Sequence, residues 1–506
     1  MIEVQYFNLS VSLATNVQNL ANYIEEFLRK FYTVKGQSYN SSDSDSALDK
    51  RFVGKLKNQN VYLFHVNQFL HLITYLREIG YELTDVVKTD HRDYTIAKED
   101  YQVKPGWKPN EEQEPMVEFL TSSPTKSKLL GLRTGGGKTV VSLISLAKIG
   151  WRTGIVILPQ YIDKWCGDIP NVHVATTKDV MVVQGSKALR GLVALAKDNE
   201  YVGRYIVFSS RTLQEFIFQF EEDPALCVQV YGCTPLELMP LLGIGVVLVD
   251  ESHQHFHAIY RILIYSNVKY QIGLSATLLS DDNVVTRAHN VVYPKQFVYD
   301  TGSFIRYTDV YALSYYIPDT MIRKVKFTNY GSHNYAHTAF EQSIMRDRDL
   351  KAFHLKLWGN AIEDFYVDPY EKGDTCMIFV ATVKLASFLT GYLRDKYPEY
   401  NVQRYCEDDP FENLEEADIV VTTIISAGTA VDKANLRTVI QTVSVSSTVA
   451  NIQNLGRLRQ LKDGKDTRFV YFFAENIRKQ TTYHYKRKEL FRDRVKTQSI
   501  RKARIH

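Results

Sequence analysis

Cysteine is scarce and scattered in this chain. The five, Cys166, Cys227, Cys233, Cys376 and Cys406, are odd in number and include no Cys-x-x-Cys pair that could hold zinc. Such usage fits a reducing cytosol. No apolar run approaches membrane-spanning length, and the N-terminus lacks a basic start followed by an apolar stretch. The expectation is a cytoplasmic protein with no membrane partner. A repeat of solenoid period is also missing. His253, His255 and His257 alternate, but no carboxylate or cysteine cluster accompanies them to make a dedicated metal site.

An excess of charge of one sign is nearly absent from the whole, with 61 Lys and Arg against 57 Asp and Glu, a formal net charge of +4. That balance hides an asymmetry. The segment from Arg478 to Arg504 is dense in Lys and Arg and carries only Glu489 and Asp493 in opposition, a pattern that suits a polyphosphate partner when it follows a nucleotide-splitting core. With 45% hydrophobic and 23% charged residues, the 506-residue chain is globular and long enough for several domains.

Patterning divides the chain further. Residues Ile2 to Val11 are β-rich, Val17 to Phe31 has helical apolar spacing, and Gly36 to Asp49 reads as a Ser/Asp/Asn loop. Val61 to Val66 then resembles a strand and Gln68 to Ile79 an amphipathic helix closed by Gly80. Residues 1–104 are thus expected to form a small α+β module. From 105 to 296, apolar strands at Leu129, Ile155, Ile206, Val246 and Gln271 alternate with helical stretches, the mark of a parallel sheet covered on both faces. A second such run, at Cys376, Ile419, Val439 and Arg468, lies within 297–475 behind a Tyr-rich connector that ends in a helix near Asp349 to Phe365. Residues 476–506 remain as a basic tail. The predicted fold class is α/β, with two tandem parallel-sheet lobes behind the α+β module.

Three blocks carry chemistry. Thr134-Gly135-Gly136-Gly137-Lys138-Thr139 follows a strand and opens a helix, so its backbone N–H groups can curl round phosphate oxygens at a helix N-terminus. Lys138 would neutralise the β- and γ-phosphates of ATP and Thr139 would ligate Mg²⁺. Leu132 stands where a strict P-loop has its first glycine. An apolar strand, Val246 to Val249, delivers Asp250 and Glu251 at its C-terminal end, Asp250 to hold Mg²⁺ and Glu251 to orient and deprotonate water. Ser275-Ala276-Thr277 follows the next strand.

Asp250-Glu251-Ser252-His253 is a DExH box, and residues 105 to 475 resemble superfamily 2 helicases and translocases, which implies that the two tandem parallel-sheet lobes are RecA-like. The resemblance implies an adenine contact at Gln113 and coupling of hydrolysis to movement through His253, Ser275, Thr277 and Gln453. Strand-tracking contacts are implied at Pro159, Gln160, Ser210, Arg211, Thr382, Thr422 and Thr423. It also places Asp432 at the nucleotide, with Ala430 replacing the family's glycine. Gln453-Asn454-Leu455-Gly456-Arg457-Leu458-Arg459-Gln460 resembles motif VI. The family writes its second arginine where Gln460 stands, so Arg457 and Arg459 are both candidates for the finger that answers charge on the γ-phosphate.

The small first module, with its basic-aromatic Lys50 to Lys57 stretch, is similar to that of phage UvsW-type helicases, as is the leucine-first P-loop. This implies ATP-driven unwinding or branch migration of branched DNA in recombination, repair or replication, in the cytoplasm of a phage's host. Phe52, Tyr62 and Phe64 suit either stacking on bases or burial in a core. An RNA helicase is the nearest alternative. The motor subunit of a restriction system is disfavoured by the lack of a nuclease-like carboxylate–lysine cluster, and a non-hydrolysing scaffold by the presence of Lys138, Asp250 and Glu251.

Overall fold

The computed structural model describes residues 1–35, 49–123, 127–132, 136–275, 282–300, 306–328, 335–406, 409–424, 426, 433–461 and 463–505. The chain forms two compact units, Met1–Thr301 and Gly302–His506. Most of the loop read at Gly36 to Asp49 lies outside the described residues.

Unit one opens with β1 (Ile2–Tyr6), β2 (Ser10–Thr15), a two-stranded pair β3 (Thr33–Val34) and β4 (Lys50–Arg51), then β5 (Gly54–Lys55), β6 (Val61–His65) and β7 (Val86–Asp90). The sheet order β5-β6-β2-β1-β7 is antiparallel except where β7 runs beside β1. Helix Gln18–Phe31 buries Leu20, Ala21, Ile24, Phe27 and Leu28, the face its apolar spacing defines, and ends on Arg29 and Lys30 near its C-terminal carbonyls.

This module shares its core with the sheet that follows. Phe52 lies 5.3 Å, centroid to centroid, from Tyr260 and 6.0 Å from Phe256. Tyr260 donates to the buried amide oxygen of Gln68 at 2.5 Å, and Gln68 in turn donates to the Phe52 carbonyl. Tyr62 and Phe64 are buried as well, so all three aromatics of the basic-aromatic stretch and its following strand are core side chains. Lys50 and Arg51 stay exposed.

The parallel sheet of unit one is built from β8 (Ser127–Gly131), β9 (Thr153–Ile157), β10 (Val180–Val183), β11 (Tyr205–Ser209), β12 (Val246–Val249), β13 (Tyr270–Ser275) and β14 (Val298–Asp300). Among the described residues its order is β10-β11-β9-β12-β13-β8-β14. Unit two contributes β15 (Thr308–Tyr315), β16 (Thr375–Val380), β17 (Val402–Tyr405), β18 (Ile419–Thr423), β19 (Leu436–Gln441), β20 (Thr467–Ala474) and β21 (Thr497–Lys502), ordered β17-β18-β16-β19-β20-β15-β21. Counted by appearance, both sheets read third, fourth, second, fifth, sixth, first, seventh, and every pairing is parallel. The two RecA-like lobes therefore share one topology.

That repeat accounts for two segments the pattern leaves plain. The Tyr-rich connector contains β15, the counterpart of the P-loop strand β8. The basic tail forms helix Arg478–Phe491 and the edge strand β21, the counterpart of β14. Among the described residues no helix is long and apolar enough to cross a membrane.

Replacing Phe52 by Ala should cost about 3–5 kcal/mol through cavity formation at the shared core. Urea unfolding followed by a probe in β12 or β13 should shift to a lower midpoint. An unshifted lobe transition would show the first module to be energetically separate.

Candidate active site

All parallel strands of a sheet end on the same edge, and in open α/β sheets ligands bind at the carboxyl ends. In unit one that edge collects Gly136 to Thr139 behind β8, Pro159 and Gln160 after β9, Ser210 and Arg211 after β11, Asp250 after β12, and Ser275 at the end of β13. Thr134, Gly135 and Thr277 lie outside the described residues, as does Asp432 in unit two.

The glycines that are described explain the leucine-first P-loop. A Cβ on Gly136 would come within 2.6 Å of the Leu132 side chain, so the bulk absent at Gly136 is the room Leu132 fills. Gly137 takes φ +84°, a left-handed conformation, and caps helix Lys138–Ile149. A Cβ there would sit 2.3 Å from the Gln113 amide nitrogen. Gln113 thus lies directly against the loop, its amide 3.5 Å from the Gly136 carbonyl. Leu132 N–H donates to the Ser275 carbonyl at 2.9 Å, tying the loop to the end of β13.

At the first turn of that helix, Lys138 Nζ donates to Glu251 Oε1 at 3.0 Å, with side chains 11% and 13% exposed. Asp250 is held on both oxygens: the indole N–H of the buried Trp165 donates to Oδ2 and the Glu251 N–H to Oδ1, each at 2.9 Å. Glu251 and His255 both adopt φ +48°, a conformation that costs a non-glycine residue and that clusters at functional sites. The turn aims Glu251 back over the helix N-terminus. Its second oxygen, Oε2, is buried, accepts no hydrogen bond, and lies 3.4 Å from His253 Nδ1.

His253 Nδ1 and Ser275 Oγ are 2.8 Å apart. Burial, reinforced by the Lys138 cation, pushes the imidazole down to about 3, so it is neutral at ordinary pH. Both the Ser275 hydroxyl and the Glu251 carboxylate approach the same nitrogen, Nδ1, so that atom links the two groups directly. Among the described residues no group of three His, Cys, Asp or Glu forms a metal cage. Asp250 and the Thr139 hydroxyl nevertheless fit Mg²⁺, which takes one or two protein ligands and completes its shell with phosphate and water. The buried, unbonded Glu251 Oε2 beside them offers an acceptor for a water proton.

Several strand-tracking candidates are placed differently from one another. Gln160 is exposed and Arg211 is 79% exposed, paired with Glu215 at 3.0 Å. Ser210 is buried and its hydroxyl makes no hydrogen bond. In unit two, Thr422 is 0% exposed, its hydroxyl directed to the Thr423 carbonyl, while Thr423 shares a 2.7 Å hydrogen bond with Ser426. These buried hydroxyls organise the strand ends and present no surface in this structure. Thr382 caps helix Val383–Lys396 and donates to Glu341 Oε2 at 2.9 Å. Gln453 lies on helix Thr448–Leu455, after β19, the counterpart of β12, and Arg457 and Arg459 follow it, the first buried and the second half-buried.

Glu341 is a site residue that local patterning does not reveal. It is fully buried on helix His337–Arg346, and accepts from Ala381 N–H at 2.6 Å as well as from Thr382. Its only signal is three-dimensional.

No family model and no curated protein matches the sequence. Among solved structures, the chain is similar to S. cerevisiae Dbp5 bound to RNA and ADP BeF3, and to a point variant of that protein with the same ligands. Each is 13% identical, covers 78% of this chain and 90% of the other, and gives a TM-score of 0.49. A third, the variant bound to Gle1 and IP6, is 14% identical over 78% and 89%, with a TM-score of 0.47. At such values the ground for the fold is the strand order itself.

Glu341 generates a pH prediction. Burial raises its carboxyl from the ordinary 4.5 to about 7 despite the two hydrogen bonds. The folded state then binds the proton more tightly than the unfolded chain does. Its contribution is greatest below pH 4.5 and is lost as pH rises to about 7. Melting temperatures of Glu341→Gln relative to the parent should therefore improve across that window and level off above it. A difference independent of pH would contradict the assignment.

Proposed function

We propose that this protein is a nucleic-acid-stimulated ATPase of the helicase and translocase kind, acting on branched or duplex DNA. The observation that carries the reading is the convergence of Lys138, Glu251, Asp250, His253 and Ser275 at one sheet edge, beside a helix N-terminus. Each has a task in splitting a phosphoanhydride. Lys138 and the first-turn N–H groups neutralise phosphate oxygens that displace Glu251 from the lysine. Glu251, released, accepts the proton of the attacking water through the oxygen that is now unbonded. Asp250, fixed by Trp165, and Thr139 would hold Mg²⁺, which would supply charge stabilisation at the phosphates. His253 reports the state of Glu251 to Ser275. Arg457 or Arg459 supplies the guanidinium that answers charge on the γ-phosphate.

Branched DNA as the track rests on the small α+β module and its likeness to UvsW-type enzymes. The module's contribution narrows to exposed cations such as Lys50 and Arg51, since its aromatics are core. Phosphate contacts of that kind position a strand without reading sequence.

Hydrolysis by the purified chain should be compared without nucleic acid and with single-stranded DNA, duplex DNA, a four-way DNA junction and RNA, at one fixed salt concentration. The expected result is stimulation by DNA, greatest with the junction. Stimulation by RNA alone would replace the track and keep the motor. Lys138→Ala should lower turnover by at least about a hundredfold while nucleic-acid binding persists. Parental turnover in that variant would overturn the nucleotide site.

A further inference from the structure

Helix Arg478–Phe491 turns Gln480, His484, Arg487 and Phe491 inward, a single stripe at helical spacing. A stripe that faces a core is ordinarily apolar. Here three of the four are polar, and each is committed to a partner. Gln480 accepts from Ala474 N–H and donates to Tyr335, both at 2.7 Å. His484 lies flat against Phe473, centroids 4.1 Å apart, with Nδ1 2.9 Å from the Tyr471 hydroxyl.

Arg487 is the unusual member. It is 2% exposed, its guanidinium stands 4.3 Å from the Tyr471 ring centroid, and no carboxylate pairs with it among the described residues. Nε donates to Asn451 Oδ1 at 2.8 Å, whereas Nη2 is buried without a hydrogen bond. Burying a cation in this way costs stability that an apolar side chain of similar volume would not. A purely structural role would be better served by methionine or leucine.

The partner explains where that cost is directed. Asn451 is buried, and its amide nitrogen donates to the carbonyls of Ser447 at 2.8 Å and Val445 at 3.3 Å, so its oxygen is fixed toward Arg487. It lies on helix Thr448–Leu455, eight residues long, too short to hold its own shape or direction by internal bonding. One turn on, Asn454 donates to Gln441 of β19 at 3.0 Å. These two side chains fix the rotation of the helix about its axis. Gln453 projects from that helix and Arg457 and Arg459 leave its end.

We propose that Arg487 is a positioning residue for the arginine loop: through Asn451 it sets the rotation of helix Thr448–Leu455 and hence the aim of Arg457 and Arg459. This rests on the reading that those arginines serve ATP hydrolysis. Arg487 belongs to the basic tail read from sequence as suited to a polyphosphate partner, yet it is buried inside the lobe.

The test compares the full chain with Arg487→Met, Arg457→Ala, Arg459→Ala and the apolar double variant Arg487→Met with Asn451→Leu. Arg487→Met should melt at or above the parental temperature, keep its KM for ATP, and lose kcat by roughly tenfold to a hundredfold, the cost of a misaimed group. The double variant should fold as well as the parent and show the same kcat loss as the single one, because the two side chains act as one unit. Should Arg487→Met fail to fold, the double variant decides on the same readouts. Parental kcat in a stably folded Arg487 variant, alongside a loss in Arg457→Ala or Arg459→Ala, overturns the positioning role alone. Parental kcat in all of them overturns the reading that Arg457 and Arg459 serve ATP hydrolysis, and the positioning role with it.

Discussion

The ion pair between Lys138 and Glu251 is the contact on which the first lobe's site depends. It joins the first turn of a helix to the end of a neighbouring strand, and both side chains are largely withdrawn from water. Separating such a pair without replacement leaves a charge poorly solvated. On the proposed function a polyphosphate would supply the replacement, offering Lys138 stronger acceptors and freeing Glu251 in the same event. Binding and arming of the base would then be one exchange. Around it, Trp165 fixes Asp250 and His253 bridges toward Ser275, both by contacts already formed. The positive backbone φ at Glu251 is the strain this geometry requires.

The shared strand order gives the second lobe the same logic with different chemistry. Where β12 delivers two carboxylates, β19 delivers a short helix followed by two arginines. The second lobe spends its buried polar groups on orientation. Glu341 holds the Ala381–Thr382 turn, and Arg487 holds Asn451. Each lies outside the sequence blocks that name the site: Glu341 acts on the candidate Thr382, and Arg487 on Asn451, two residues before the block that begins at Gln453.

What was legible in the sequence is what is contiguous. Lys138–Thr139 and Asp250–Glu251 are adjacent in the chain because a phosphate cradle and a strand end are local structures. The central strands announce themselves as apolar runs because both faces are covered. The edge strands do not. β21 reads as a basic tail, since an edge strand has fewer neighbours and tolerates charge, and β15, between β20 and β21, reads as a Tyr-rich connector because Asp309, Tyr311 and Ser314 interrupt its apolar residues. Helix Arg478–Phe491 is obscured for a related reason: its inward stripe is polar. Burial of Thr422 and Ser210, and of Phe52, Tyr62 and Phe64, follows from packing across the fold, which residue type alone does not fix. Glu341 and Arg487 are invisible locally, because their partners lie about 40 and 36 positions away.

The most direct measurement is a paired one on Glu251→Gln: equilibrium binding of ATP with Mg²⁺, and single-turnover hydrolysis of the bound nucleotide. If the exchange of Glu251 for phosphate on Lys138 is the central event, the variant binds ATP at least as tightly as the parent, because the competing charge is gone, and fails to cleave it. Weaker binding with an unchanged cleavage rate would contradict the account, since Glu251 would then be a ligand for nucleotide and the base would lie elsewhere.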